Sequence, residues 1–167
     1  MRSAGVGVLR VEVTDDITGE MAAAITRAVA AYPGRSIEIE IDTPGGDWSA
    51  SRSIFETLQH HGRRVTALIQ RAASGGALIA MSADHRQMHP TGHFFLHRPS
   101  GAYTKATLDG IADRKAALMA GRCRIPAARI RRWMDENTTL DAGRALSVGL
   151  VDEVPGLPKP RHPIVFL

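Results

Sequence analysis

Twice in this chain an apolar strand pattern runs into a glycine pair and then into a helix pattern, and that repetition narrows the fold more than any other feature. Ser36 to Asp42 sets Ile37, Ile39 and Ile41 against Glu38 and Glu40, the period-two alternation of a strand with one buried face, and is followed by Pro44-Gly45-Gly46. Val65 to Gln70 is the second such run, followed by Ser74-Gly75-Gly76. The first glycine pair leads into a helical pattern from about Trp48 to His60, with Ile54, Phe55 and Leu58 on its inner face, closed by His61-Gly62. The second opens a short small-residue helix from Gly75 to Ala83. Strands joined through helices run parallel, so the expected class is α/β: a mostly parallel sheet covered by helices.

The remaining segments extend the same scheme. Val6 to Val13 reads as a first strand, and Thr18-Gly19-Glu20 opens a helix to about Ala31 that Pro33-Gly34 ends. Arg86 to Met88 and His93 to His97 read as two strand segments joined by Pro90-Thr91-Gly92. Leu108, Ile111, Ala112, Leu118 and Met119 mark a helix from about Thr104 to Gly121; Pro126 starts another, with Ile130, Trp133 and Met134 inward, and Asp141 to Val148 forms the last. With 167 residues, 44% of them hydrophobic, one core suffices, so residues 1–154 are expected to be a single domain. The segment 155–167 holds four of the nine prolines and reads as an extended tail.

Composition excludes several functions. The single cysteine, Cys123, cannot form an internal disulfide, and no long apolar run suggests a signal peptide or membrane span, so the expected location is cytoplasmic. A net charge of +4 and the cluster Arg122, Arg124, Arg129, Arg131 and Arg132 invite a nucleic-acid reading. That cluster has no aromatic platform beyond Trp133, so a solvated face or a subunit contact is the expectation and nucleic acid is not. His85, His89, His93 and His97 recur every fourth residue, a metal-binding spacing on a helix, but Pro90 and Gly92 interrupt the stretch and no metal is expected.

The chemistry concentrates at the second glycine pair. Ser74 stands between a strand and a helix among residues too small to bury it. A serine there is ordinarily an N-cap, and Gly45-Gly46 ordinarily a tight turn. A hydroxyl becomes a useful nucleophile beside a base, for which His97 is the candidate and His93, on the same strand face, the reserve. If Ser74 opens a helix, the Gly75 N–H has no intrahelical acceptor and lies at the positive end of the helix dipole, where an oxyanion would be stabilised. Gly45-Gly46 lets a second backbone segment approach without a side chain in the way.

These residues resemble the Clp protease proteolytic subunits and their phage prohead-protease relatives, within the crotonase-like fold of repeated β-β-α or βαβ units. The resemblance covers roughly Val8 to Val154 and rests on four ordered anchors. They are Asp42-Thr43-Pro44-Gly45-Gly46, Ala72-Ala73-Ser74-Gly75-Gly76-Ala77, Phe95-Leu96-His97-Arg98-Pro99, and Ala145-Leu146-Ser147-Val148-Gly149-Leu150-Val151-Asp152. It implies a serine endopeptidase acting on unfolded polypeptide or peptides through an acyl-enzyme. Ser74 would be the nucleophile, His97 its base, the backbone near Gly46 and Gly75 the oxyanion hole, and Gly45, Asp47, Arg98 and Pro99 the substrate-binding positions. No cofactor is implied.

The position that is acidic in that family carries Asn137 here, inside Asp135-Glu136-Asn137, so Asn137 is expected to orient His97 without charge, or Asp135 or Glu136 to do so by a shift of register. A homo-oligomeric ring is implied. The segment that gates the pore and meets the ATPase unfoldase in the family has no counterpart before the first strand, which argues against that partner. The stretch from His97 to Asn137 is shorter than the family's ring-joining handle by about two helical turns, which argues for a single ring or a smaller oligomer. An acyl-CoA-binding crotonase-type enzyme and a catalytically degenerate ring or scaffold subunit are the alternatives.

Overall fold

The computed structural model describes residues 7–158; the expected first-strand residue Val6 and most of the expected tail lie outside them. The chain lays down β1 (Val8–Val13), α1 (Gly19–Ala31), β2 (Ser36–Thr43), α2 (Trp48–Gln59), β3 (Val65–Ala73), α3 (Gly75–Ala80) and β4 (His85–Leu96). It continues with α4 (Lys105–Ala120), α5 (Ala127–Asp135), β5 (Thr138–Asp141) and α6 (Ala142–Val148). The strands form a sheet in the order β1-β2-β3-β4-β5, parallel through β4, with β5 antiparallel at the edge.

The alternation in β2 has the expected consequence: Ile37, Ile39 and Ile41 are fully buried, while Glu38 and Glu40 face outward. On the buried side α1 packs on α2, α2 on α3, and α3 against β2, β3 and β4, while α6 packs against β4. Four helices start at a side-chain cap, with Thr18, Asp47, Thr104 and Asp141 each accepting from a backbone N–H three residues on, at 2.7–3.2 Å.

Two irregularities set the positions of the later residues. In β3 the register slips by one at Gln70, so that Ile69 pairs with Ile41 and Arg71 with Asp42. In β4 the partner of Ile69 is Met88 and that of Arg71 is His93, so His89 to Gly92 bulge outward within one continuous strand rather than separating two. Gly92 has to be glycine there, because a Cβ would lie 2.8 Å from the Gln70 carbonyl oxygen. β5 was not anticipated at all. Four residues between two helices carry too little alternation to be read as a strand.

Candidate active site

The carboxyl ends of the four parallel strands point to one edge of the sheet, where α/β folds place their ligands. A cavity of about 300 Å³ opens there. Asp16, after β1, and Pro44 to Trp48, after β2, form one part of its wall; Ser74 and Gly75 follow β3, and His97, Pro99, Ser100 and Tyr103 follow β4. Ile111 and Lys115 of α4 complete it.

Ser74 is not a cap. Its side chain accepts no hydrogen bond from α3, and its backbone takes φ 50° and ψ −114°, outside the wells that a side-chain-bearing residue prefers. The Ser74 N–H donates to the Phe95 carbonyl at 2.9 Å, which ties this conformation to β4. Gly45, at φ 108°, lies so close that a Cβ on it would be 2.6 Å from the Ser74 Cβ. The sharp turn therefore lifts the hydroxyl into the cavity while glycine makes room beside it.

Gly75 begins α3, so its N–H has no acceptor within the helix. Gly46 is bridged to Ile17 by two bonds, Ile17 N–H to the Gly45 carbonyl and Asp47 N–H to the Ile17 carbonyl, and its own N–H takes part in neither. Two backbone donors thus flank the turn that carries Ser74.

His97 lies one residue beyond β4, half-buried and stacked against Phe95 with ring centroids 5.2 Å apart. Its Nδ1 is 2.7 Å from the Arg98 carbonyl oxygen. A carbonyl only accepts, so Nδ1 carries the proton and Nε2 is left with its lone pair, the tautomer that a general base requires. Burial pulls the imidazole pKa below its ordinary value, opposed by the bond to the Arg98 carbonyl and reinforced by the charge of Lys115. That shift favours the neutral ring. Among the described residues no hydrogen bond joins Ser74 Oγ to His97.

The other expected site residues fall in different places. Asp47 lines the cavity, but its carboxylate caps α2 through the Ala50 N–H at 2.7 Å. Pro99 lines it as well, whereas the Arg98 guanidinium is bound to Asp109 and Asp135 outside. Asp135 is held by Arg98 and Arg131, and Glu136 caps α5 through its backbone. Asn137 is exposed with φ 50° at the turn into β5, and its side chain makes no hydrogen bond to His97. The β4–β5 register ends at Leu96 paired with Thr138, and continuing it by one residue puts Asn137 across from His97. His93, the reserve base, pairs with Arg71 and Asp141 away from the cavity.

Sequence reasoning missed Lys115. It is 3% exposed, and burial alone pulls its pKa down to about 7. The signal was present, because Lys115 falls on the same helical face as Ile111, Ala112 and Met119.

A family model described as Clp protease matches residues 4–156. The ATP-dependent Clp protease proteolytic subunit 1 of Gloeobacter violaceus is 32% identical over 155 residues, spanning 86% of this chain and 79% of that protein. Among solved structures, an asparagine-to-aspartate mutant of ClpP1 from Listeria monocytogenes superposes with a TM-score of 0.81 at 21% identity, covering 91% of this chain and 92% of that one. ClpP1 from the same organism gives 0.80 at 22% identity, over 87% and 89% of the two chains. The two structures share the fold.

Proposed function

The chain belongs to the Clp protease family and is a Clp-like serine peptidase, and we propose that Ser74 and His97 carry its chemistry, with the N–H groups of Gly46 and Gly75 as the oxyanion hole. The observation that carries this reading is the cavity at the carboxyl edge of the sheet, where Ser74 is sharply turned with its side chain capping nothing and where, among the described residues, His97 Nε2 and the Gly46 and Gly75 N–H groups have no hydrogen-bond partner. The substrate is a polypeptide or peptide whose backbone lies along Gly45 to Asp47 and past Pro99.

In acylation, Nε2 takes the proton of Ser74 Oγ as the oxygen bonds to the scissile carbonyl carbon. The C=O electron pair moves onto the oxygen, where the Gly46 and Gly75 N–H groups bind the negative charge. The imidazolium then passes its proton to the leaving amine as the C–N bond breaks. Water repeats the sequence on the acyl-enzyme and restores Ser74. One oxyanion donor is worth about 3 kcal/mol in such a step.

The third position is neutral on this reading. The Arg98 carbonyl holds Nδ1–H, and the Asn137 amide oxygen, across from His97 in register, is the other acceptor available to it. Either fixes the tautomer, but neither offsets the imidazolium charge. Asn137→Asp is accordingly expected to speed acylation.

A fluorophosphonate probe tests the assignment. Labelling on Ser74 in the wild type, its absence in Ser74→Ala and a loss of about 10³-fold or more in His97→Ala is the expected pattern. Labelling that survives Ser74→Ala would sink it. Assembly as a homo-oligomeric ring and a cytoplasmic location accompany this proposal; light scattering on the purified protein tests the first. Among the described residues no helix is long and apolar enough to cross a membrane.

A further inference from the structure

We infer that the cavity beside Ser74 selects an acidic substrate side chain, with Lys115 as the group that receives its carboxylate; this rests on the assignment of Ser74 as the acylated residue. α4 turns Ala112, Lys115, Ala116 and Met119 inward, a stripe on which an apolar residue would satisfy packing at every position. Lys115 interrupts it with a basic side chain that lines the cavity.

Among the described residues the Lys115 ammonium has no anionic partner. Asp109, six residues back on the same helix, is held by Arg98, Lys105 and Arg131, and Asp113 is held by Arg131. Asp16 and Asp47 sit at the exposed rim, and neither forms an ion pair or hydrogen bond with Lys115 among the described residues. Of the other titratable groups at the cavity, His97 carries no negative charge in either protonation state, and Tyr103 is exposed and forms no hydrogen bond with Lys115 among the described residues. A cation on a buried side chain with no counter-charge among the described residues is unfavourable where a methionine would pack, so its placement asks for an anion from outside.

The geometry limits what that anion is. It has to reach a buried wall of a cavity of about 300 Å³ while a peptide carbonyl stands at Ser74. A glutamate or aspartate side chain on the acylating residue meets both conditions, its methylenes passing Ile111 and Pro99 and its carboxylate meeting Lys115. In a desolvated site such a pair is stronger than in water, and a neutral amide of the same shape leaves the ammonium unmatched.

Two measurements test this, one independent of turnover. Peptide coumarin amides that differ only in Glu, Gln or Leu at the acylating residue give kcat/KM, and the Glu substrate is expected to exceed the Gln substrate about tenfold or more in the wild type. The ratio is expected to fall to about one in Lys115→Met and to invert in Lys115→Glu. In Ser74→Ala protein, calorimetry with N-acetyl tripeptide amides ending in Glu or Gln is expected to show the same preference, and Ser74→Ala with Lys115→Met to lose it.

Equal binding of the Glu and Gln peptides overturns the inference and leaves the peptidase reading standing if Ser74 still labels. Glutamate-selective binding without labelling of Ser74 keeps the carboxylate site and defeats the peptidase assignment. A preference that persists in Lys115→Met removes Lys115 from the role. Should that variant not fold, the wild-type Glu-to-Gln ratio decides alone.

Discussion

Ser74 holds its φ of 50° and ψ of −114° against an ordinary residue's preference, and the surrounding bonds supply the difference. Such a conformation costs about 1–3 kcal/mol, and glycine escapes most of it while losing about 0.5–1 kcal/mol in chain entropy. Ser74→Gly is therefore expected to be more stable than Ser74→Ala by about 1 kcal/mol in urea unfolding, although neither variant labels with a fluorophosphonate. Gly45→Ala meets the opposite situation, because its Cβ would strike the Ser74 Cβ; lost labelling with a lowered melting temperature is expected. At His97, a lowered pKa keeps the base neutral further into acid, so the acid limb of the labelling rate is expected below the ordinary imidazole value. Lys115→Met should move that limb up only in part, since burial, the larger cause, stays. That Ser74 and His97 end their strands at one cavity was legible in the sequence, because small flanking residues and a strand end mark them. Lys115 was marked only by its place on the apolar face of Ile111, Ala112 and Met119, and a single cation there reads as a solvated edge until the packing shows which way the face turns.

Elements with long, regular patterns were the legible ones. β2 and α1 follow from alternation and helical period, and their observed limits fall within two residues of the reading. The failures share a cause in tertiary pairing: β5 exists because β4 has an edge to fill, and the β4 bulge is defined only against β3, where four residues, His89 to Gly92, lie across from the single Gln70. Packing of α4 on α5 also involves groups far apart in sequence. Arg131 bridges Asp109, Asp113 and Asp135, and Arg98 joins Asp109 and Asp135 to the end of β4. This lattice accounts for part of the basic cluster that sequence alone left as a surface face. A hydrogen bond from Lys105, with the charges of Lys105, Arg98 and Arg131, holds Asp109 below the usual carboxylate range. The lattice's contribution is therefore present above the ordinary carboxylate pKa and lost as pH falls through the lower, folded value. Asp109→Asn is expected to speed backbone hydrogen exchange across 105–135 while leaving β1 to β3 unchanged. Uniform acceleration throughout the chain would contradict that local role.

For the whole molecule, Lys115 makes stability depend on pH in a window that no other shifted group among the described residues shares. Its folded pKa of about 7 lies below the 10.5 of an exposed lysine, so between these values the unfolded chain binds the extra proton. Stability then rises with pH across that interval and is flat below it, at about 1.4 kcal/mol per unit. His97, also lowered, contributes its own rise only below the ordinary imidazole value, and Arg131 is shifted upward beyond the window. Burial raises the pKa of Cys123 above 9.0, so its effect begins near that pH and has the opposite sign, because the unfolded thiol is the first to lose its proton. From pH 7 to pH 9 the lysine acts alone among the shifted groups, and urea unfolding at fixed protein concentration and ionic strength is expected to show a gain of about 2–3 kcal/mol. Lys115→Met should abolish the slope and raise stability most at pH 7, where the wild type bears the greater penalty. The same pH dependence in both proteins would mean that the ammonium is hydrated in the folded state, and the cation at the cavity wall would lose its energetic basis. A saturating acidic tripeptide amide should flatten the wild-type slope as well, since a bound carboxylate restores the lysine's pKa toward its ordinary value.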